Sequence, residues 1–127
     1  MTYSMDYITV SAKIRMAFMT RDWQLIKSLL ADDVHWGDNS SANKCRSSRE
    51  VIDRFRTAIS NGIEAEIVEV IPVPAGILCQ FRVLNFGSPQ TREPRELYHL
   101  YRLSQGRIFQ ICPFDDREQA INAGNLN

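Results

Sequence analysis

Asp38 closes a strand-like run, LADDVHWGDN at residues 30–39, two positions after Trp36 and four after Val34. Strict alternation puts Val34, Trp36 and Asp38 on one face and Asp33, His35 and Gly37 on the other. A carboxylate sharing a face with a tryptophan stands either in water at a sheet edge or at the lip of an apolar pocket. In a pocket, desolvation lifts its pKa above the usual value of about 3.9, which makes it a candidate general base. At an edge it is a solvated acid or a cap of the Asn39–Ser41 turn. Asp32 and Asp33 read as surface and turn residues, and His35 points away from Asp38, so the two make a poor dyad.

The run ELYHLYRL offers a second set of polar groups. His99 and Tyr101 share one face of a strand, with Tyr98 and Leu100 on the other. On a concave face, His99 could donate to a developing oxyanion or shuttle a proton, and Tyr101 could donate through its hydroxyl. The bland alternative is a half-buried histidine bonded to a neighbouring strand. Gln110, Cys112 and Phe114 also alternate. Cys112 has no basic group nearby in sequence to lower its pKa, so it reads as a small packing residue rather than a nucleophile.

Other chemistries lack their residues. Two histidines and no paired Cys or His at ligand spacing argue against a protein-built metal site. The six glycines form no phosphate-cradling loop, and there is no GxSxG elbow, so no cofactor is expected. Fifteen basic and fifteen acidic residues cancel, which leaves no field to draw nucleic acid or an anionic membrane. No apolar run reaches the roughly 18 residues of a spanning helix, and MTYSMDYITV lacks a signal pattern. The odd, scattered cysteines Cys45, Cys79 and Cys112 argue against a disulfide framework and point to a reducing cytoplasm.

The elements that must position these groups fit one domain over residues 1–127, with 44% hydrophobic and 24% charged residues. Tyr7, Val10, Ile14, Ala17 and Phe18 form the stripe of a helix over 5–19, with Ser4 as its cap. Asp22 caps a short helix from Trp23 to Leu30, followed by a strand over 33–38. Ser47 and Glu50 have capping-box spacing and open a third helix, ended by Asn61-Gly62. Strands follow: IEAEIVEVI with a phase change at Val68, then ILCQFRVLNF, RELYHLYRL and RIFQICPF, the last two joined by a tight SQG turn. The tail 115–127 reads as frayed or as a short helical turn. The expected fold is α+β, with helices on one side of a mostly antiparallel sheet.

This order, with RDWQLIKSLLADDVHWGDN, SSREVIDRFR and GRIFQICPFDD, resembles the nuclear transport factor 2-like superfamily, in particular its SnoaL-like and ketosteroid-isomerase-like branch. The resemblance implies a cone-shaped, curved sheet wrapped around N-terminal helices, a cystatin-like α+β roll with an apolar cavity at its open end. It implies a homodimer through the outer sheet face, where Arg82, Leu84 and Arg102 alternate against inward neighbours. It places Asp38 at the isomerase's general base, Ile14 where its oxyanion tyrosine sits, and His99 or Tyr98 near its second donor. It also puts Cys112 where epoxide-hydrolase-like members carry an acid. With His99 or Tyr101 as donor, Trp36, Phe18, Gln110, Cys112 and Phe114 would then contact the ligand. The implied function is binding of a small apolar organic molecule, with isomerase, cyclase or dehydratase chemistry on a carbonyl compound. The alternative is a non-catalytic ligand-binding or dimerisation module.

Overall fold

The computed structural model describes residues 5–37, 46–86 and 95–125. Asp38, the Ser4 cap and Cys45 lie outside the described residues. Helix α1 (Met5–Thr20) buries Val10, Ile14 and Ala17, spaced at four and three residues on one stripe. Asp22 N–H donates to the Ala17 carbonyl at 2.9 Å, and the Asp22 carboxylate accepts from Leu25 N–H to start α2 (Trp23–Leu29). One residue thus closes one helix and caps the next. Strand β1 (Leu30–Trp36) begins three residues earlier than the alternation predicted and is followed by Gly37, whose N–H donates to the Ile111 carbonyl.

Helix α3 (Ser48–Ser60) opens as expected, with Glu50 N–H donating to Ser47 Oγ at 3.2 Å. The Glu50 carboxylate reaches back to Arg46 N–H at 2.7 Å, one residue earlier than in the standard reciprocal box. Then come β2 (Ile63–Val73), β3 (Gly76–Phe86), β4 (Arg95–Ser104) and β5 (Arg107–Phe114). The curved, unclosed sheet has the order β1-β5-β4-β3-β2, antiparallel except where β1 runs parallel to β5. The phase change in β2 is a register shift between Ile67 and Glu69. Gln105 (φ 54°) and Gly106 (φ 78°) make the two-residue β4–β5 turn, whose paired positive φ values match strand twist.

Helices α1–α3 pack on the concave face against Ile77, Cys79, Phe81, Tyr101, Ile108 and Ile111. The tail departs from expectation: it folds as α4 (Arg117–Gly124), capped by the Asp116 carboxylate, which accepts from Glu118 N–H. It lies on the opposite, outer face, where Ala120 is fully buried beside Val73, Leu78, Tyr98 and Leu100. The helices are therefore not all on one side of the sheet. Gly124 is buried with Ala120, and Ile121 and Ala123 pack half-buried against the same cluster, an apolar set too short and too small to announce its partner in the sequence.

Candidate functional site

A cavity of about 320 Å³ opens between the helices and the concave sheet, within the size range of small-molecule sites. Helix α1 contributes Phe18, the α1–α2 turn Arg21, α2 contributes Trp23, and α3 contributes Arg54, Phe55, Ala58 and Ile59. The sheet adds Trp36 from β1, Ile63, Ala65 and Ile67 from β2, Phe81 and Val83 from β3, and Leu97 and His99 from β4. The aromatic wall is continuous. Trp23 and Phe55 stack at 6.3 Å, Phe18 meets Phe55 and Phe81 edge-on at 5.4 and 5.1 Å, and Trp36 leans on Phe55 at 5.0 Å. Such pairs prefer offset or edge geometry, which holds the wall in shape when the cavity is empty.

His99 is the most informative polar group. It is 8% exposed, edge-on to Trp36 at 5.2 Å and against Phe81 at 5.0 Å. Its Nδ1 lies 3.0 Å from the Tyr101 hydroxyl, and Tyr101 itself is fully buried. Burial, and secondarily the Arg54 charge, pushes the His99 pKa down to about 4. Burial, with the Cys79 thiol nearby, pushes the Tyr101 pKa well up. At neutral pH the imidazole is therefore uncharged and the phenol keeps its proton. The phenol O–H has no other hydrogen-bond partner among the described residues, so it donates to Nδ1. That leaves the imidazole proton on Nε2, a neutral N–H donor.

Chemically this decides between the two roles open to His99. A histidine that resists protonation down to about pH 4 does not shuttle protons as an imidazolium at pH 7. It can polarise a carbonyl as a neutral hydrogen-bond donor. Tyr101 sits behind His99 and does not line the main cavity, so it sets the ring's tautomer rather than touching a ligand. Tyr101→Phe strands a buried Nδ1 and is expected to cost about 1–3 kcal/mol in denaturation. In wild-type protein, ¹⁵N imidazole shifts should report a single Nε2-protonated tautomer, and an Nδ1-protonated ring would refute the assignment.

Phe18, Trp36 and His99 line this cavity together. Gln110, Cys112 and Phe114 do not. The register of β4 and β5 shifts between Arg102 and Leu103, so Leu103 pairs with Ile108 and Arg102 with Gln110. The extra residue, Phe109, flips the phase of β5. Ile108 and Ile111 both face inward, while Gln110, Cys112 and Phe114 share the outer face with Arg102, Leu100 and Tyr98. Cys112 and Phe114 pack there beneath α4. Of the two positions considered for the second donor, Tyr98 also faces outward and His99 inward. Ile14 is a core residue, His35 is exposed, and Cys79 is a buried thiol whose pKa burial raises, hence inert. Twelve of the fifteen lining residues had not been singled out as site residues, among them Arg21, Trp23, Arg54, Phe55 and Phe81. Phe55 shares the cavity side of α3 with Ala58 and Ile59, an apolar spacing visible in the sequence, but the two arginines had no local signal.

Among the described residues, no group of three or more His, Cys, Asp or Glu could hold a metal ion. No helix among them is long and apolar enough to cross a membrane.

No family model matches the chain, and no curated protein matches it in sequence. Solved structures do. An NTF2-like protein of unassigned function from Burkholderia pseudomallei superposes with a TM-score of 0.68 at 20% identity, covering 97% of this chain and 100% of that one. An LEH-like epoxide hydrolase from M. tuberculosis gives 0.61 at 17%, covering 94% and 91%. A candidate polyketide cyclase from Sinorhizobium meliloti gives 0.64 at 16%, covering 89% and 100%. At such identities the likeness speaks for architecture. Element order, curved sheet and concave helices together give this chain the nuclear transport factor 2-like, or cystatin-like, fold.

Proposed function

We propose that the protein binds a small, largely apolar organic molecule in the aromatic cavity, with His99 Nε2–H donating to a carbonyl oxygen of the ligand. The observation that carries this reading is the cavity itself: about 320 Å³, walled by aromatic rings, with one neutral polar donor on β4. That a candidate cyclase and an epoxide-hydrolase-like protein share the fold supports a small organic ligand. Among the described lining residues there is no carboxylate, so if proton transfer next to the carbonyl occurs, Asp38 is the base we assign to it. That reading makes the protein a cofactor-independent isomerase, cyclase or dehydratase. Without the base, the same cavity is a binding module.

Both tryptophans of the chain line the cavity, so intrinsic fluorescence reports occupancy. Neutral 2-naphthol is expected to quench it saturably, and Ala58→Phe, which fills the cavity from α3, should weaken binding at least tenfold with the fold retained. No quenching up to millimolar probe would end the binding reading. For catalysis, Asp38→Asn should abolish proton exchange at the α-carbon of a bound ketone while leaving affinity nearly unchanged. Undiminished exchange would leave only the binding module.

We also propose a homodimer through the outer sheet face. Leu84 is 42% exposed there, and the buried Nε of Arg102 has no hydrogen-bond partner among the described residues. The ion pairs of Arg82 with Glu66 and Glu96 are part-exposed and contribute little by themselves. Sedimentation at tens of micromolar should give a dimer, and a monomer alone would refute this interface.

A further inference from the structure

Arg21 occupies a backbone position that an arginine holds only at a cost. The Asp22 N–H to Ala17 carbonyl bond is the long return bond of a helix-ending motif whose turning residue, here Arg21, must be left-handed. Its φ is 53°, in the region that glycine enters freely and a residue with a Cβ does not. Where α3 ends, the same chain uses Gly62, at φ 91°. The strained position carries a long, solvent-exposed cation, and Arg21 is among the residues that border the aromatic cavity. Strain retained at a cavity wall is an observation from which function can be inferred.

The surrounding charges are one-sided. The titratable residues among those lining the cavity are Arg21, Arg54 and His99, and His99 is neutral at pH 7. The Arg54 guanidinium lies 4.7 Å from the Trp36 ring centroid, on the face of that ring. Arg21 also borders an adjoining, more open depression of about 370 Å³ that contains Glu64, but makes no ion pair with it. A guanidinium at the edge of an apolar cavity offers a fork of N–H donors matched to a carboxylate.

We infer that the ligand is an aromatic or polyunsaturated carboxylic acid, bound with its rings among Phe18, Trp23, Phe55 and Phe81 and its carboxylate on Arg21. This rests on the cavity being the binding site, and it adds the ligand's charge. The apolar body supplies affinity through burial, and the arginine discriminates anion from neutral analogue. The cavity accommodates roughly two or three fused rings.

The test compares 2-naphthoate with its uncharged isostere 2-naphthamide, by tryptophan quenching at pH 7.5 and low salt. Naphthoate is expected to bind wild-type protein at least tenfold more tightly than the amide, with the advantage shrinking at 0.5 M salt. Arg21→Gly should remove most of that advantage and leave amide affinity unchanged. The same variant should unfold at an equal or higher temperature than wild type, because glycine relieves the left-handed strain. Loss of both affinities together with a lower Tm would mark Arg21 as merely structural and overturn the inference. Equal affinity of both probes in wild type would overturn it while the cavity reading stands. If neither probe binds, both readings fall.

Discussion

Replacing Gly76 by alanine is expected to destabilise the protein by about 3 kcal/mol or more, a large share of the roughly 5–15 kcal/mol a small domain possesses. The cause is a backbone contact, not a side-chain one. A Cβ on Gly76, at the start of β3, would be driven into the carbonyl oxygen of Tyr101 and crowd Arg102 Cα. Side-chain crowding can be relieved by a rotamer change, but here β4 itself would have to move. Gly76 lies at the first position of β3, yet the strand it would displace carries Tyr101 and His99. Loss of stability should therefore come with loss of the single His99 tautomer. Gly106 is the internal control. Its φ of 78° strains any L residue, but a Cβ there meets nothing within 4 Å. Gly106→Ala should cost only about 1 kcal/mol. Urea denaturation of both variants checks the pair, and equal losses would show that the close approach at Gly76 is relieved cheaply.

The second large effect is acid sensitivity with a defined window. In the unfolded chain His99 has the ordinary histidine pKa of 6.5, and in the folded protein about 4. Above pH 6.5 both states hold it neutral, and its contribution to stability is fully present. Between pH 6.5 and 4 the unfolded state takes up a proton that the folded state refuses, so stability falls as pH falls. Below about pH 4 the loss is complete and amounts to roughly 3 kcal/mol, the free-energy equivalent of the shift. His99→Gln retains an acceptor for the Tyr101 hydroxyl and removes the titration. Once matched at neutral pH, the wild-type curve of unfolding free energy against pH should therefore drop below the variant's by roughly 3 kcal/mol between pH 6.5 and pH 4. Parallel curves would mean that His99 titrates normally and is not held neutral by burial. The neutral donor assigned to it would then fail as well.

Much of the architecture was legible locally because local groups enforce it. The Asp22 cap, the Ser47–Glu50 start of α3 and the bulge near Val68 are short-range devices, and each occurs where its residues predict. The parity of His99 with Tyr101 follows from strand geometry alone, as does that of Val34 with Trp36. The extent of β1 was less legible: it starts at Leu30, because pairing with β5 extends strand structure back to the end of α2.

The chain's own pattern determined that helices with one apolar stripe precede strands with one apolar face, because burial selects those periods without reference to a partner. It also determined that His99 and Tyr101 travel together. Which way each strand faces depended on distant pairing. One extra residue opposite Arg102 turned Cys112 outward and Ile111 inward, and alternation read from Gln110 could not register it. The burial of Ala120 against Leu100, the charge state of His99 and the meeting of Arg21 with an aromatic wall belong to tertiary structure too. The rings packed on His99 belong to Trp36 and Phe81, residues 63 and 18 positions away in the sequence, which reach it only once β3 pairs with β4 and β1 joins the sheet.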